Sequence, residues 1–187
     1  NFPFMLNLSK LVPALMAGNT AVLKVAPDTP WSATCIGKLV AEETDLPAGV
    51  LNIVTAKDPA EVGDILTGDP RVDMISFTGS TAIGRRVLAR GGKTLKRVFL
   101  ELGGKSANII LDDAPLEGVV PGAAMVCTHA GQGCAITTRM LIPRSRYDEA
   151  LEMLKTAYEN SNYGDPMNPA NLMGPLISAK QRERVLG

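Results

Sequence analysis

Met74-Ile75-Ser76-Phe77-Thr78-Gly79-Ser80-Thr81-Ala82-Ile83-Gly84 passes from a short apolar run into a helical period with no loop between them. Its first part has the spacing of a buried strand; its second carries hydroxyls where a helix begins. A helix start presents free N–H groups and partial positive charge, which suit a diphosphate. Gly79 is expected to let the backbone turn tightly at that point. The spacing Gly79-x-x-x-x-Gly84 imitates a phosphate loop, yet Arg85-Arg86 stands where Lys and Ser or Thr are required. G-x-G-x-x-G is also missing. On these residues alone an ordinary N-capped helix explains the segment as well as a phosphate site does.

The same alternation extends in both directions. Strands are expected at 21–25, 51–55, 74–77, 97–101, 108–111 and 140–142. They are apolar on both faces and rich in Val and Ile, as strands covered on both sides are. Helical periods fall at 6–16, 31–43, 60–66, 81–89, 116–129 and 147–160. Asp28-Thr29-Pro30 and Asp58-Pro59 are start signals, and Leu46-Pro47-Ala48-Gly49 is a stop. Strand–helix–strand repetition implies right-handed crossovers and an α/β fold with a mainly parallel sheet. Gly103-Gly104 is the one composition break, dividing 1–102 from 103–187.

The chain has 187 residues, with 19 Lys and Arg against 19 Asp and Glu. Zero net charge argues against nucleic-acid or anionic-membrane partners. Three cysteines and one histidine, with no C-x-x-C pair, argue against a disulfide framework and a structural zinc site. No apolar run approaches the roughly 20 residues that span a bilayer. The expectation is a cytoplasmic, soluble α/β chain without a metal, and its start at Asn1-Phe2-Pro3 reads as cut.

Ligands of open α/β sheets bind beyond the carboxyl ends of strands. Lys24 closes one apolar run and either snorkels to solvent or meets a polar ligand. Glu101 closes another, ahead of Leu102-Gly103-Gly104. Desolvation at a buried strand end would favour it as a base, although a salt-bridged glutamate is commoner there. Cys134 lies in Gly131-Gln132-Gly133-Cys134, where flanking glycines leave a thiol accessible. Cys35 and Cys127 fall inside apolar helical runs and read as core. His129 suggests a Cys–His hydrolase pair only weakly, since such partners usually come from distant parts of a chain.

In this order, Asn1-Phe2-Pro3, Lys24-Val25-Ala26, Phe77-Thr78-Gly79-Ser80, Leu100-Glu101-Leu102-Gly103-Gly104-Lys105-Ser106 and Gly131-Gln132-Gly133-Cys134 resemble signature blocks of the aldehyde dehydrogenase superfamily. The resemblance covers the whole chain, which is less than half of a typical member. It implies a partial Rossmann-like coenzyme domain, 1–102, followed by the start of a catalytic domain, 103–187. It implies oxidation of an aldehyde to a carboxylic acid by NAD or NADP through a cysteine thiohemiacetal and thioester. Cys134 would be the nucleophile, Glu101 the base that activates water, and Asn1 an oxyanion donor. Lys24 would hold the adenosine ribose. Gly79, Ser80, Thr81, Ala82, Ile83, Gly84 and Leu102 would lie along the coenzyme. Pro27 stands where many NAD-preferring relatives have a ribose-binding Glu, so the resemblance leaves NAD and NADP both open. A parent homo-oligomer acting on a small aldehyde is implied, and the isolated piece is expected to be inactive. Two other readings are a CoA-acylating relative, against which Glu101 speaks, and a non-catalytic binding or structural member.

Overall fold

Short strands form where the Val-, Ile- and Leu-rich runs place them, and each of the first three is followed by a helix. The computed structural model describes residues 1–187. In chain order the elements are α1 (Pro3–Met16), β1 (Ala21–Lys24), α2 (Pro30–Glu43), β2 (Leu51–Val54), α3 (Pro59–Gly68), β3 (Met74–Gly79), α4 (Thr81–Gly92), β4 (Arg97–Leu102), β5 (Ala107–Ile109), α5 (Leu116–Val119), a 3-10 stretch (Pro121–Gly131), β6 (Arg139–Leu141), a short 3-10 turn (Arg144–Arg146), α6 (Tyr147–Glu159) and α7 (Ala179–Leu186). They divide into two compact units, Phe2–Leu102 and Gly103–Gly187, the latter with Asn1.

In Phe2–Leu102 the strands pair in parallel, as expected of strands joined by helical crossovers. Ala21 lies opposite Leu51 in the β1–β2 pair, and Met74 opposite Arg97 in β3–β4. The pairs are two separate two-stranded sheets. One core gathers Leu11 from α1, Leu23 and Val25 at β1, and Ala33 and Ile36 from α2. Removing its Leu, Val and Ile side chains from water contributes about 1.5–3 kcal/mol each. Helix α3 begins with Pro59 at its first position, and the Asp58 carboxylate accepts the Ala60 N–H at 2.8 Å. Helix α4 lies close on its strands because two helical glycines allow it. A Cβ on Gly91 would sit 2.9 Å from Val98 Cγ2, and one on Gly84 2.7 Å from Leu102 Cδ2. Lys96, only 9% exposed, donates to the carbonyls of Asp69 and Val72 and so secures the turn before β3.

In Gly103–Gly187 the regular elements are shorter. β5 pairs in parallel with β6, Ala107 opposite Arg139. Ile110, Leu116, Val120 and Ala150 form the core. The single helix expected over 116–129 does not form. Pro121 brings no N–H to the helical ladder, and the backbone leaves helical geometry at Thr128. Helix α7, capped by the Ser178 hydroxyl, was not anticipated.

Two further expectations are corrected. The strands are covered mainly on one face: Val22, Met74, Phe99, Ile109 and Leu141 are about half exposed or more. Cys35 is exposed, because the buried stripe of α2 runs through Ala33 and Ile36 and leaves position 35 outside it. No helix is long and apolar enough to cross a membrane, and no cluster of three or more His, Cys, Asp or Glu is arranged to hold a metal ion.

Candidate functional site

Lys24 sits at the end of β1, where its ammonium has only the Val25 carbonyl at 3.5 Å. Burial pushes its pKa below the ordinary lysine range, and no carboxylate offsets the shift. The end of β2 opens on a recess of about 620 Å³ lined by Thr55, Ala56, Lys57, Asp58 and Pro59, among others.

At the start of α4 the Ser80 hydroxyl accepts the Ile83 N–H at 3.4 Å, so it caps its own helix. The N–H groups of Thr81 and Ala82 point out of the helix start with no intrahelical acceptor. Thr81, Ala82 and Ile83 are all exposed. Gly79 does not adopt a left-handed conformation, contrary to the tight-turn expectation. An added Cβ there would meet the Phe77 ring at 2.5 Å, so glycine lets that ring lie over the strand end. Gly84 and Leu102 pack on each other, joining α4 to β4.

Glu101, on β4, is paired in register with Thr78 and is exposed. This strand end is therefore open to solvent and not buried as expected. The neighbouring Thr78 Oγ1 is buried without a hydrogen-bond partner. A buried hydroxyl left so is uncommon and marks a place where a ligand atom or water can bind. Lys10, with no signal in the sequence, also reaches this sheet: its Nζ donates to Ser76 Oγ at 2.8 Å across 66 residues. Burial pushes the Lys10 pKa down, and the negative charge of Glu101 works in the opposite direction. Its helical position gave no local signal of this contact.

Cys134 belongs to the other unit, in a bend between the 3-10 stretch and β6, and is partly buried. The approach to it is unusual. His129, Ala130 and Gly131 have φ of 54°, 53° and 72° in succession. Each non-glycine residue in that region costs about 1–2 kcal/mol. The Gln132 side chain donates to the His129 carbonyl at 2.9 Å and accepts the Ile177 N–H at 3.3 Å. The backbone N–H of Gln132 reaches the same His129 carbonyl at 3.1 Å. Gly133 closes on Ile136, where an added Cβ would lie 2.9 Å from Cγ2. Cys127 is half-buried. Burial, and secondarily Cys127, pushes the Tyr158 hydroxyl above its ordinary pKa. Asn1 is exposed.

Chemically, the first unit offers an unpaired cation, open amides at a helix start and a carboxylate at a strand end. The second offers a thiol on a constrained loop. The sequence model described as the aldehyde dehydrogenase family matches residues 1–187. Benzaldehyde dehydrogenase YfmT of Bacillus subtilis is 42% identical over 190 residues, covering 100% of this chain and 38% of its own length. A cysteine-to-alanine mutant of aldehyde dehydrogenase C from Pseudomonas syringae, complexed with NAD+ and octanal, superposes with a TM-score of 0.94 at 37% identity. That comparison covers 98% of this chain and 38% of the other. An NADP-dependent enzyme of Escherichia coli superposes with a TM-score of 0.90 at 40% identity, covering 98% and 38%. The chain thus spans well under half the length of the relatives it matches, and, matched from residue 1 to residue 187, it belongs to the aldehyde dehydrogenase family.

Proposed function

We propose that the full-length protein oxidises a small aldehyde to its carboxylic acid with NAD or NADP, and that Cys134 is the nucleophile. The observation that carries the reading is a match running through both Glu101 and Cys134, with the thiol on a loop outside any regular element. The residues of the first unit fit a dinucleotide. Lys24 would meet a ribose, the open amides of Thr81 and Ala82 a diphosphate oxygen, and the orphaned Thr78 hydroxyl a polar atom near Glu101. When bound, the nicotinamide coenzyme supplies the hydride acceptor.

The Cys134 thiolate attacks the aldehyde carbon, and the carbonyl π pair moves to oxygen to give a thiohemiacetal oxyanion. The Asn1 amide and the Cys134 N–H stabilise that oxyanion. Loss of hydride leaves a thioester on Sγ. Glu101 takes a proton from water, whose oxygen adds to the acyl carbon, and the C–S bond breaks to return the thiolate and free acid. An exposed Glu101 is open to that water, and the Lys10 ammonium places positive charge in its field.

Cys134→Ser in the full-length chain should lower aldehyde-dependent NAD(P)H production by about 10⁴-fold or more. Glu101→Gln should slow steady turnover about 10²–10⁴-fold while leaving a first-turnover burst of NAD(P)H. Full activity in Cys134→Ser would overturn the assignment.

A further inference from the structure

We propose that Gln132 is a positioning residue for Cys134: its side-chain amide straps the left-handed turn at 129–131 and so fixes where the thiol stands. The proposal rests on reading Cys134 as the nucleophile. Two of the three left-handed residues, His129 and Ala130, are not glycine, so the turn needs outside support to persist. Gln132 supplies it from both ends of one amide. Its Nε2 donates back to His129 O at 2.9 Å, and its Oε1 accepts from Ile177, 45 residues downstream.

An open recess of about 550 Å³ is lined by Ala130 and Gly131 of the turn and by Met173, Gly174 and Leu176 of the segment before Ile177, among others. Apolar packing therefore does not close this side of the turn. Only Gly133 lies between Gln132 and Cys134, and it is already in close contact with Ile136. A shift at Gln132 has little slack to absorb it before reaching Sγ. The two bonds require a donor and an acceptor on one planar group. Glutamine provides both, ionised glutamate lacks the donor, and methionine has no donor and only a weak acceptor.

The test uses the full-length enzyme and reads alkylation of the Cys134 peptide by iodoacetamide against pH, with no aldehyde or coenzyme, beside kcat and KM. Gln132→Met should lower both the alkylation rate and kcat by about tenfold or more, since small misplacements of a reacting group are costly. Coenzyme affinity should stay at the parent value. Adding Ala130→Gly should restore most of the loss, because glycine holds a positive φ without support. Parent-like alkylation and kcat in Gln132→Met, or a natively folded double variant with no recovery, would overturn the proposal. Where Gln132→Met does not fold, Gln132→Glu decides: a loss is expected, and a parent-like alkylation profile refutes the strap. Alkylation is measured apart from turnover. An active Cys134→Ser enzyme would thus remove the catalytic reading while the alkylation profile still judges the strap.

Discussion

In Phe2–Leu102 the residues that fit a coenzyme stand at the ends of regular elements, whereas in Gly103–Gly187 the candidate nucleophile stands on irregular backbone. Lys24 ends β1 and Thr81 opens α4. Parallel pairing and close glycine-mediated packing set their places. Cys134 instead lies three residues beyond a left-handed turn at 129–131, and the hydrogen bonds nearby are those of Gln132 to the His129 carbonyl and from the Ile177 N–H. The places of the residues proposed to meet the coenzyme follow from the fold itself. If the proposed strap at Gln132 holds, the position of Cys134 rests on a few polar contacts, and single substitutions should separate the two units clearly.

The largest structural effect is expected in the smaller core. Leu116 is fully buried, and Leu116→Ala should cost about 2–5 kcal/mol in denaturant unfolding. Hydrogen exchange should show protection lost in β5, β6 and α6; a cost under about 1 kcal/mol would mean that this core does not hold the unit. In the first unit the sharpest break is polar. Lys96→Met leaves the Asp69 and Val72 carbonyls without their buried donor and should cost about 1–3 kcal/mol. An unchanged midpoint would show the turn before β3 to be held by packing alone.

The smallest effect is pH-dependent. The Arg71 guanidinium holds the Asp69 carboxyl well below its ordinary value of 3.8. A depressed folded-state pKa adds stability above the ordinary value and loses it as pH falls through the window below 3.8. Asp69→Asn should therefore lower Tm slightly at neutral pH, with the gap closing as the medium becomes strongly acidic. A gap that widens in acid would reverse the sign.

Strand and helix positions were legible because Val, Ile and Leu runs alternate with helical periods, and because Asp58-Pro59 and Gly49 punctuate them. Cys134 stood out through its flanking glycines. Other features leave no local trace. The Lys10–Ser76 bond joins α1 to β3 across 66 residues, which no window of sequence spans. Ala130 carries no composition signal for positive φ and His129 only a weak one, so 116–129 read as one helix. Cys35 was misplaced because small residues on α2 leave the phase of its buried stripe ambiguous. Gln132 passed as a neighbour of the thiol, since its second partner, Ile177, lies far along the chain.

The central claim is that the acyl group is carried on Cys134. The direct measurement is mass spectrometry of the full-length Glu101→Gln enzyme, acid-quenched after mixing with aldehyde and NAD or NADP. With the water-activating carboxylate removed, the thioester should accumulate, and the peptide containing Cys134 should gain the mass of the acyl group. An acyl adduct on Cys35 or Cys127, or NAD(P)H formation with no adduct on any cysteine, would contradict the assignment.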